Sequence, residues 1–312
     1  MRYLCIGEPL VEFTARRDAP STFDRRAGGD TLNSAVYLAR LLPAGWVGYL
    51  SRLGDDGMSA WLRGFLTQEG IRDLCGTEPG GRPGLSFIST DAQGERSFLY
   101  WRDQAPARRL FQPADETALQ AVAGAGTVLL SAVTLAVLLP EGRERLLAAL
   151  ERRRAAGGRI VLDTNYRPAL WPDAGTAQAV IGRAIGLATL VLPSLDDLGE
   201  CFGIAGPDGA MALLAGLGAA EIVLTTGGGA VLRRPPGGGG IETHPLPPRV
   251  AATDTTGAGD SFNAGWLAAR EAGLSPAEAV ARAARLASAV IAHPGAVIPR
   301  DAMPDLGLPA AM

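Results

Sequence analysis

Hydrophobic residues fall into short apolar runs that alternate with longer segments of helical periodicity. Short runs bounded by turn residues are typical of buried strands, and apolar positions three or four residues apart indicate amphipathic helices. The predicted core strands are near residues 2–7, 46–51, 128–131, 160–163, 190–193 and 222–225. The predicted helices are near 31–42, 57–69, 113–123, 141–156, 176–188, 208–217 and 261–272. This alternation predicts an α/β fold with a mostly parallel central sheet covered by helices on both faces.

Two stretches interrupt the alternation with short extended segments. Residues 84–103 contain strands at 85–90 and 96–101 joined by a turn at 91–95, and residues 10–27 are also largely extended. A small β lid over the carboxyl edge of the sheet would exclude water from a reaction there. We therefore expect a single domain over 1–312 with a lid built from about 10–27 and 84–103. Apolar side chains on exposed lid strands would also allow two copies of the chain to pair.

Composition and charge exclude several classes of protein. The net charge is −3 over 312 residues, which gives no indication of a nucleic-acid partner. The longest apolar run, near 128–139, is too short to span a bilayer, and the chain enters its first strand without a signal peptide. The three cysteines (Cys5, Cys75 and Cys201) have no metal-binding or disulfide spacing. We expect a cytoplasmic protein with no membrane partner.

The basic residues are unusual because all 29 of them are arginine and the sequence has no lysine. This excludes lysine Schiff-base catalysis and the phosphate loop that requires a Gly-Lys pair. The arginine run 152–154 is typical of a solvated helix face.

The segment 254–263 (Asp-Thr-Thr-Gly-Ala-Gly-Asp-Ser-Phe-Asn) carries the strongest chemical signal. Gly257, Ala258 and Gly259 stand where a helix begins, and unpaired N–H groups and the helix dipole attract phosphate there. Asp260 places a carboxylate beside this anion hole, which suits a base that takes a proton from a hydroxyl attacking ATP. The alternative is a glycine turn followed by an aspartate helix cap.

The segment 27–35 is a second group of small and polar residues. The pair Gly28-Gly29 precedes a helix and lets a small polyol approach the backbone, while Asp30 and Asn33 can hydrogen-bond its hydroxyls. The alternative is that Asp30 caps the helix and Asn33 lies on the helix surface.

These two segments resemble the C-terminal signature and the N-terminal glycine-pair motif of the ribokinase-like (PfkB) carbohydrate kinases. The resemblance extends over essentially the full chain. It implies a three-layer α/β/α fold with a β lid, ATP and Mg²⁺ as cofactors, and Asp260 as the catalytic base. It also implies an anion hole formed by the backbone of Gly257, Ala258 and Gly259. The residues it implies for sugar binding are Gly29, Asp30, Thr31, Leu32 and Asn33.

Two further segments, 98–103 and 163–171, each place an arginine at the expected edge of the pocket. Arginine binds a carboxylate through two parallel hydrogen bonds, each contributing about 1.5–3 kcal/mol. A surface charge or a structural ion pair is the alternative for each arginine. Both segments resemble the 2-keto-3-deoxygluconate kinases within the family, which implies that Tyr100, Trp101, Arg102 and Arg167 bind a sugar acid. Asn165 would lie near the phosphates.

The nucleotide end departs from the family pattern. The turn formed by Thr225, Gly227, Gly228 and Gly229 resembles the family's turn beside the adenosine phosphates, but many relatives have lysine where this chain has Thr225. Ala284 stands where relatives place an asparagine beside adenine. Asp197, in a segment that begins at Ser194, would hold Mg²⁺ through a water molecule. A helix cap explains Ser194 equally well.

The resemblance implies ATP-dependent phosphorylation of 2-dehydro-3-deoxy-D-gluconate on its terminal hydroxyl, giving the 6-phosphate. A fructokinase-like enzyme acting on a neutral sugar is the first alternative, and a sugar or nucleotide sensor without catalysis is the second. The sequence also leaves open the galactonate epimer as substrate.

Overall fold

The computed structural model describes residues 1–16, 19, 21–90, 96–247 and 251–309. The turn expected at 91–95 and parts of the segment 10–27 lie outside the described residues. The strands are β1 (Tyr3–Ile6), β2 (Leu10–Ala15), β3 (Phe23–Gly28), β4 (Val47–Leu50), β5 (Arg52–Leu53), β6 (Arg72–Asp73), β7 (Gly76–Thr77), β8 (Gly84–Thr90), β9 (Arg96–Trp101), β10 (Thr127–Ser131), β11 (Arg159–Asp163), β12 (Leu190–Leu192), β13 (Ile222–Thr225), β14 (Ala230–Arg234) and β15 (Glu242–Pro245). The α-helices are α1 (Asp30–Leu41), α2 (Gly57–Gln68), α3 (Glu116–Gly124), α4 (Ala132–Val137), α5 (Pro140–Ala155), α6 (Ala174–Leu187), α7 (Leu195–Phe202), α8 (Gly206–Gly216), α9 (Ala258–Glu271) and α10 (Pro276–Ile291). Single 3₁₀ turns span Pro106–Arg109, Pro168–Leu170 and Arg300–Ala302.

Nine of the described strands form a central sheet in the order β6-β4-β1-β10-β11-β12-β13-β14-β15. Neighbours from β6 to β13 run parallel, and the last two strands add antiparallel at one edge. Alternation along β1 sends Tyr3 and Cys5 into one hydrophobic core and Leu4 and Ile6 into the other. Helices α1, α2, α9 and α10 complete the first core, while α3, α5, α6 and α8 complete the second. The predicted three-layer α/β/α architecture with a mostly parallel sheet is confirmed.

A second, small sheet has the order β3-β2-β8-β9 and comes from the two segments outside the main alternation. Pairing of Glu12 with Ser86 and of Ser86 with Tyr100 places these three side chains on one face, which we call the polar face. The opposite face, which we call the aromatic face, carries Phe13 and Phe87 with ring centroids 5.2 Å apart. The small sheet therefore has two chemically different sides.

The two helices that contribute to the cleft, α1 and α9, both begin earlier than the sequence predicts. The N-cap of α1 is Gly29, with φ +118°, rather than Asp30. Asp30 is the first helical residue, and its Oδ1 accepts a hydrogen bond of 2.8 Å from the N–H of Thr31. Helix α9 begins at Ala258 instead of residue 261, because the left-handed conformation of Gly257 already turns the chain into the helix. Asp260 consequently lies inside the first turn of α9.

The prediction that the arginine run 152–154 faces solvent is wrong for its middle residue, Arg153. Arg153 is buried, and its guanidinium donates to the carbonyl oxygens of Val122 and Ala123 at 3.1 Å each. It also donates to those of Ala125 and Gly126, so it satisfies the carbonyl groups at the end of α3. None of the described helices combines the length and the apolarity that crossing a membrane would require.

Candidate active site

A turn organised by Asp254 leads the chain into α9. The Asp254 carboxylate accepts hydrogen bonds from the N–H (3.0 Å) and Oγ1 (2.7 Å) of Thr256 and from the N–H of Gly295 (2.7 Å). Gly257 follows with φ +76°, and a Cβ at this position would lie only 2.7–2.8 Å from atoms of Ala296. The left-handed conformation and the close approach both require glycine here.

The first turn of α9 lies where the sequence predicts an anion hole, but the backbone donors it offers are those of Gly259, which belongs to the predicted set, and Asp260, which does not. The N–H groups of Gly259 and Asp260 have no intrahelical acceptor, because a helix provides none for its first residues. The N–H of Ala258 instead donates to the carbonyl oxygen of Thr255 at 3.3 Å. The two remaining donors, together with the helix dipole, are suited to bind a phosphoryl group.

Asp260 is held at this helix start by two consecutive residues of α1. Asn33 donates from Nδ2 to Asp260 Oδ2 at 2.8 Å, and Ser34 donates from Oγ to the Asp260 carbonyl oxygen at 3.2 Å. Burial, followed by the negative charges of Asp30 and Asp163, raises the pKa of Asp260 well above its usual range. A carboxylate with a raised pKa is a better base than the unperturbed aspartate of pKa about 3.9.

Two more carboxylates face Asp260, and each has an asparagine partner. Asn165 donates from Nδ2 to Asp30 Oδ2 at 2.7 Å, and Asn263 donates from Nδ2 to Asp163 Oδ2 at 2.9 Å. Burial and the neighbouring carboxylates raise the pKa of Asp163 to about 8. The side chain of Asn165, predicted to lie near the phosphates, therefore connects to the sugar-motif residue Asp30.

Asp197 lies at the end of the neighbouring strand β12, in the first turn of α7. Ser194 is the N-cap of this helix, and its Oγ accepts from the N–H of Asp197 at 3.0 Å, as the capping interpretation expects. Arg167 Nη1 lies 3.4 Å from Asp197 Oδ1 and donates to its neighbour's carbonyl, Tyr166 O, at 2.6 Å. With 57% of its side chain exposed, Arg167 can reorient toward a ligand.

The glycine turn predicted for nucleotide binding joins β13 to β14. Thr225 ends β13 and forms a bridge with Ser194, so the turn lies beside the start of α7. Gly227 and Gly228 have φ +69° and φ +103°, and the position of a Cβ on Gly227 would lie 3.9 Å from Asp196 Oδ2. The neighbouring parallel strands β11, β12 and β13 therefore lead to Asp163, Asp197 and this glycine turn, respectively. All three lie at the carboxyl edge of the sheet, where such sheets bind ligands.

The small sheet contributes Tyr100 and Arg102 to the same region. The Arg102 guanidinium lies 5.5 Å from the Tyr100 ring centroid and donates from Nε to Glu8 Oε2 at 2.8 Å. Nη2 of Arg102 binds the same oxygen, which leaves Nη1 as the nitrogen not bonded to Glu8. Burial raises the pKa of Glu8 against the opposing positive charge of Arg102. The predicted carboxylate-binding arginine thus has a buried acidic partner in this structure.

The remaining sugar-motif residues do not all reach the cleft. The ring of Trp101 lies on the aromatic face of the small sheet, 5.1 Å from Phe87, on the side opposite to Tyr100. Thr31 and Leu32 are buried, and Thr31 Oγ1 contacts the hydroxyl of Tyr49 at 3.1 Å. Only the backbone of these two residues could approach a ligand, whereas the structure brings the side chains of Asp30 and Asn33 together with Asp260.

Three polar residues of this region were missing from the predicted site: Glu8, Asp163 and Asn263. Asp163 is the last residue of a predicted buried strand, and Asn263 is the last residue of the segment that contains Asp260. Both positions could therefore have been predicted from the sequence as part of the site. Glu8 had no comparable signal, because its partner Arg102 is 94 residues away.

The chain is similar to known proteins over almost its whole length. The model of the pfkB family of carbohydrate kinases matches residues 2–303. The chain is 36% identical over 304 residues to the 2-dehydro-3-deoxygluconokinase of Dickeya dadantii (strain 3937), covering 96% of this chain and 97% of that one. It is 32% identical over 288 residues to a fructokinase of Klebsiella pneumoniae, covering 91% and 89%. The crystal structure of the Xylella fastidiosa fructokinase with bound ATP superposes with a TM-score of 0.79 at 24% identity, covering 97% and 95%. The chain belongs to the pfkB family of carbohydrate kinases.

Proposed function

We propose that this protein is an ATP-dependent kinase that converts 2-dehydro-3-deoxy-D-gluconate into its 6-phosphate. The observation that carries the proposal is the 36% identity to the Dickeya enzyme over nearly the full length of both chains. The fructokinases match at lower identity and over a smaller share of the chain. Arg167, whose side chain is more than half exposed, adds a chemical reason to prefer a sugar acid over a neutral sugar.

The proposed reaction is a direct transfer of the γ-phosphoryl group from ATP to the sugar acid. Asp260 accepts the proton of the terminal hydroxyl as its oxygen bonds to the γ-phosphorus of ATP, and the bond from that phosphorus to ADP breaks. The N–H groups of Gly259 and Asp260 stabilise the charge that develops on the transferred group. The turn at Gly227, Gly228 and Gly229 would accommodate the remaining phosphates.

Magnesium enters with ATP as part of that substrate. Within the described residues, no group of three or more His, Cys, Asp or Glu side chains could hold a metal ion. Asp163 and Asp197 nevertheless face each other at the sheet edge, and a divalent cation would relieve their repulsion. Because Mg²⁺ keeps most of its waters, a single water-mediated contact to Asp197 suits it.

The arginines give the first test of substrate class. We expect wild-type protein to phosphorylate the keto acid with a kcat/KM one to two orders of magnitude above that for fructose, since charge-assisted hydrogen bonds contribute about 1.5–3 kcal/mol. Arg167→Lys should lose roughly tenfold or more on the keto acid, because lysine cannot form the bidentate pair. Coupled ADP-release assays over a panel of sugars and sugar acids measure both.

The control is the response of the best neutral sugar in the panel. Arg167→Lys should leave kcat/KM for this neutral sugar within about twofold of the wild-type value, because a neutral sugar makes no carboxylate contact with Arg167. Equal losses on both substrates, or a wild-type preference for fructose, would reject the keto acid as substrate and favour a fructokinase.

The aromatic face of the small sheet supports a further part of the proposal, association of two copies. Leu99 and Trp101 are 56% and 62% exposed on the edge strand β9, beside Phe23 and Phe87. An exposed apolar edge strand is a template on which a strand of another chain can pair. We expect a dimer in light scattering and a monomer after Trp101→Glu; a monomeric wild type would exclude this pairing.

A cytoplasmic location also belongs to the proposal. The three cysteines are free thiols, as expected for a reducing compartment.

A further inference from the structure

Helix α1 contacts Asp260 through two consecutive side chains that reach different parts of it. Asn33 binds the carboxylate at 2.8 Å and Ser34 binds the main-chain carbonyl at 3.2 Å. Both α1 residues are buried, and α1 packs directly on α9. The position and the rotamer of Asp260 are thus fixed from the neighbouring helix rather than from its own.

The side-chain amide of Asn33 is used for the hydrogen bond to the Asp260 carboxylate. Its Nδ2 donates to Asp260 Oδ2, while its Oδ1 is buried and has no donor within the part of the chain that the structure describes. An asparagine expected to bind a sugar hydroxyl therefore has its directed hydrogen bond on the base. The second carboxylate oxygen, Oδ1 of Asp260, stays available for the acceptor hydroxyl.

We propose that Asn33 is a positioning residue for phosphoryl transfer, which orients the Asp260 carboxylate and stabilises its ionised form. The proposal rests on Asp260 acting as the base of the proposed kinase. It changes the role of Asn33 from sugar recognition to control of the catalytic group. Its effect should therefore appear in kcat and in the pH dependence of kcat rather than in KM.

The charged surroundings determine the direction of the pH effect. Asp30 from α1 and Asp163 from the end of β11 disfavour ionisation of Asp260, whereas Arg167 and the Asn33 hydrogen bond favour it. Tyr37, also on α1, lies near enough to interact with the Asp260 charge. Removal of the Asn33 donor leaves the two negative neighbours opposed by Arg167 and by the dipole of α9. The pKa of Asp260 then rises, and the acid limb of the kcat profile moves to higher pH.

The test compares Asn33→Ala and Asn33→Asp with wild type on whichever panel substrate the wild type phosphorylates best. This choice keeps the test independent of the keto-acid assignment. We expect Asn33→Ala to lower kcat roughly ten- to a hundredfold and to move the acid limb upward by about half to one pH unit. Asn33→Asp should move it further, because it adds a like charge.

Ser34→Ala is the matched control, since it removes the neighbouring contact to the same residue without touching the carboxylate. Its acid limb should coincide with that of wild type even if its unfolding midpoint falls. Circular dichroism melts of all variants identify any that fail to fold. An acid limb that stays in place in both folded Asn33 variants, with a raised sugar KM instead, would overturn the proposal and return Asn33 to substrate binding.

Discussion

Asp260→Asn should lower kcat by roughly 10²–10⁴-fold while KM for ATP stays close to the wild-type value. The substitution preserves the shape of the side chain and its place beside Asn33, but the amide cannot accept a proton. The anion hole of α9 remains, so residual turnover above the uncatalysed rate is expected. Steady-state kinetics with saturating ATP measure this loss.

The pH profile gives the same prediction a second readout. A base works in its ionised form, so wild-type kcat should rise as pH passes upward through the raised pKa of Asp260. That limb should vanish in Asp260→Asn. Asp163→Asn is the comparison, because Asp163 is a second carboxylate of the cleft with an asparagine partner of its own. Its acid limb should remain, at a lower pH than in wild type, because one negative neighbour of Asp260 is gone. An acid limb that vanishes from both variants, or that persists in Asp260→Asn, would show that Asp260 has no special role.

Glu8→Ala should lower the free energy of unfolding by about 3–5 kcal/mol, since it leaves the Arg102 guanidinium without its buried counter-charge. The side chains of Glu8 and Arg102 are 2% and 10% exposed. The backbone of Gly84 packs against this pair so closely that a Cβ at this position would lie 2.5 Å from Glu8 Oε1. Urea denaturation followed by circular dichroism measures the change.

A double-mutant cycle separates the ion pair from simple loss of packing. The variant that carries both Glu8→Ala and Arg102→Ala should lose less than the sum of the two single losses, because the second removes the charge that the first leaves unpaired. Additive losses, or a loss below about 1 kcal/mol for Glu8→Ala, would place this pair among the weak surface salt bridges.

The fold was predictable from sequence because its layers follow local hydrophobic patterns. Buried runs such as Val128–Ser131 identify parallel strands, and their alternation with helices fixes the layer order. Helix starts were less predictable, as at α9. The three residues before Ser261 are already helical, because the conformation of Gly257 depends on its contact with Ala296, 39 residues away in sequence.

For the site, the sequence predicts the residues within each motif but not the contacts between motifs. Each motif indicates which residues have suitable chemistry, but pairing between motifs depends on the finished fold. Asn33 meets Asp260 across 227 residues, and Asn263 meets Asp163 across 100. Neither hydrogen bond leaves a local pattern in the sequence. The same reason explains why the partner of Arg102 was not foreseen.

The strand period explains the placement of Trp101. Adjacent residues of a strand point to opposite faces, so Tyr100 and Trp101 cannot both face the same ligand from β9. Trp101 lies on the aromatic face with Phe87 and Leu99. There it belongs to the proposed contact between two copies of the chain. A motif read as one unit can therefore contain residues with two different roles.

The most direct test of the account is a crystal structure of the protein with the keto acid and a non-hydrolysable ATP analogue. The terminal hydroxyl of the sugar acid should lie within about 2.6–3.2 Å of an Asp260 carboxylate oxygen. The γ-phosphate should contact the N–H groups of Gly259 and Asp260. A closed complex in which that hydroxyl is bound by another side chain, with Asp260 beyond hydrogen-bonding distance, would contradict the mechanism.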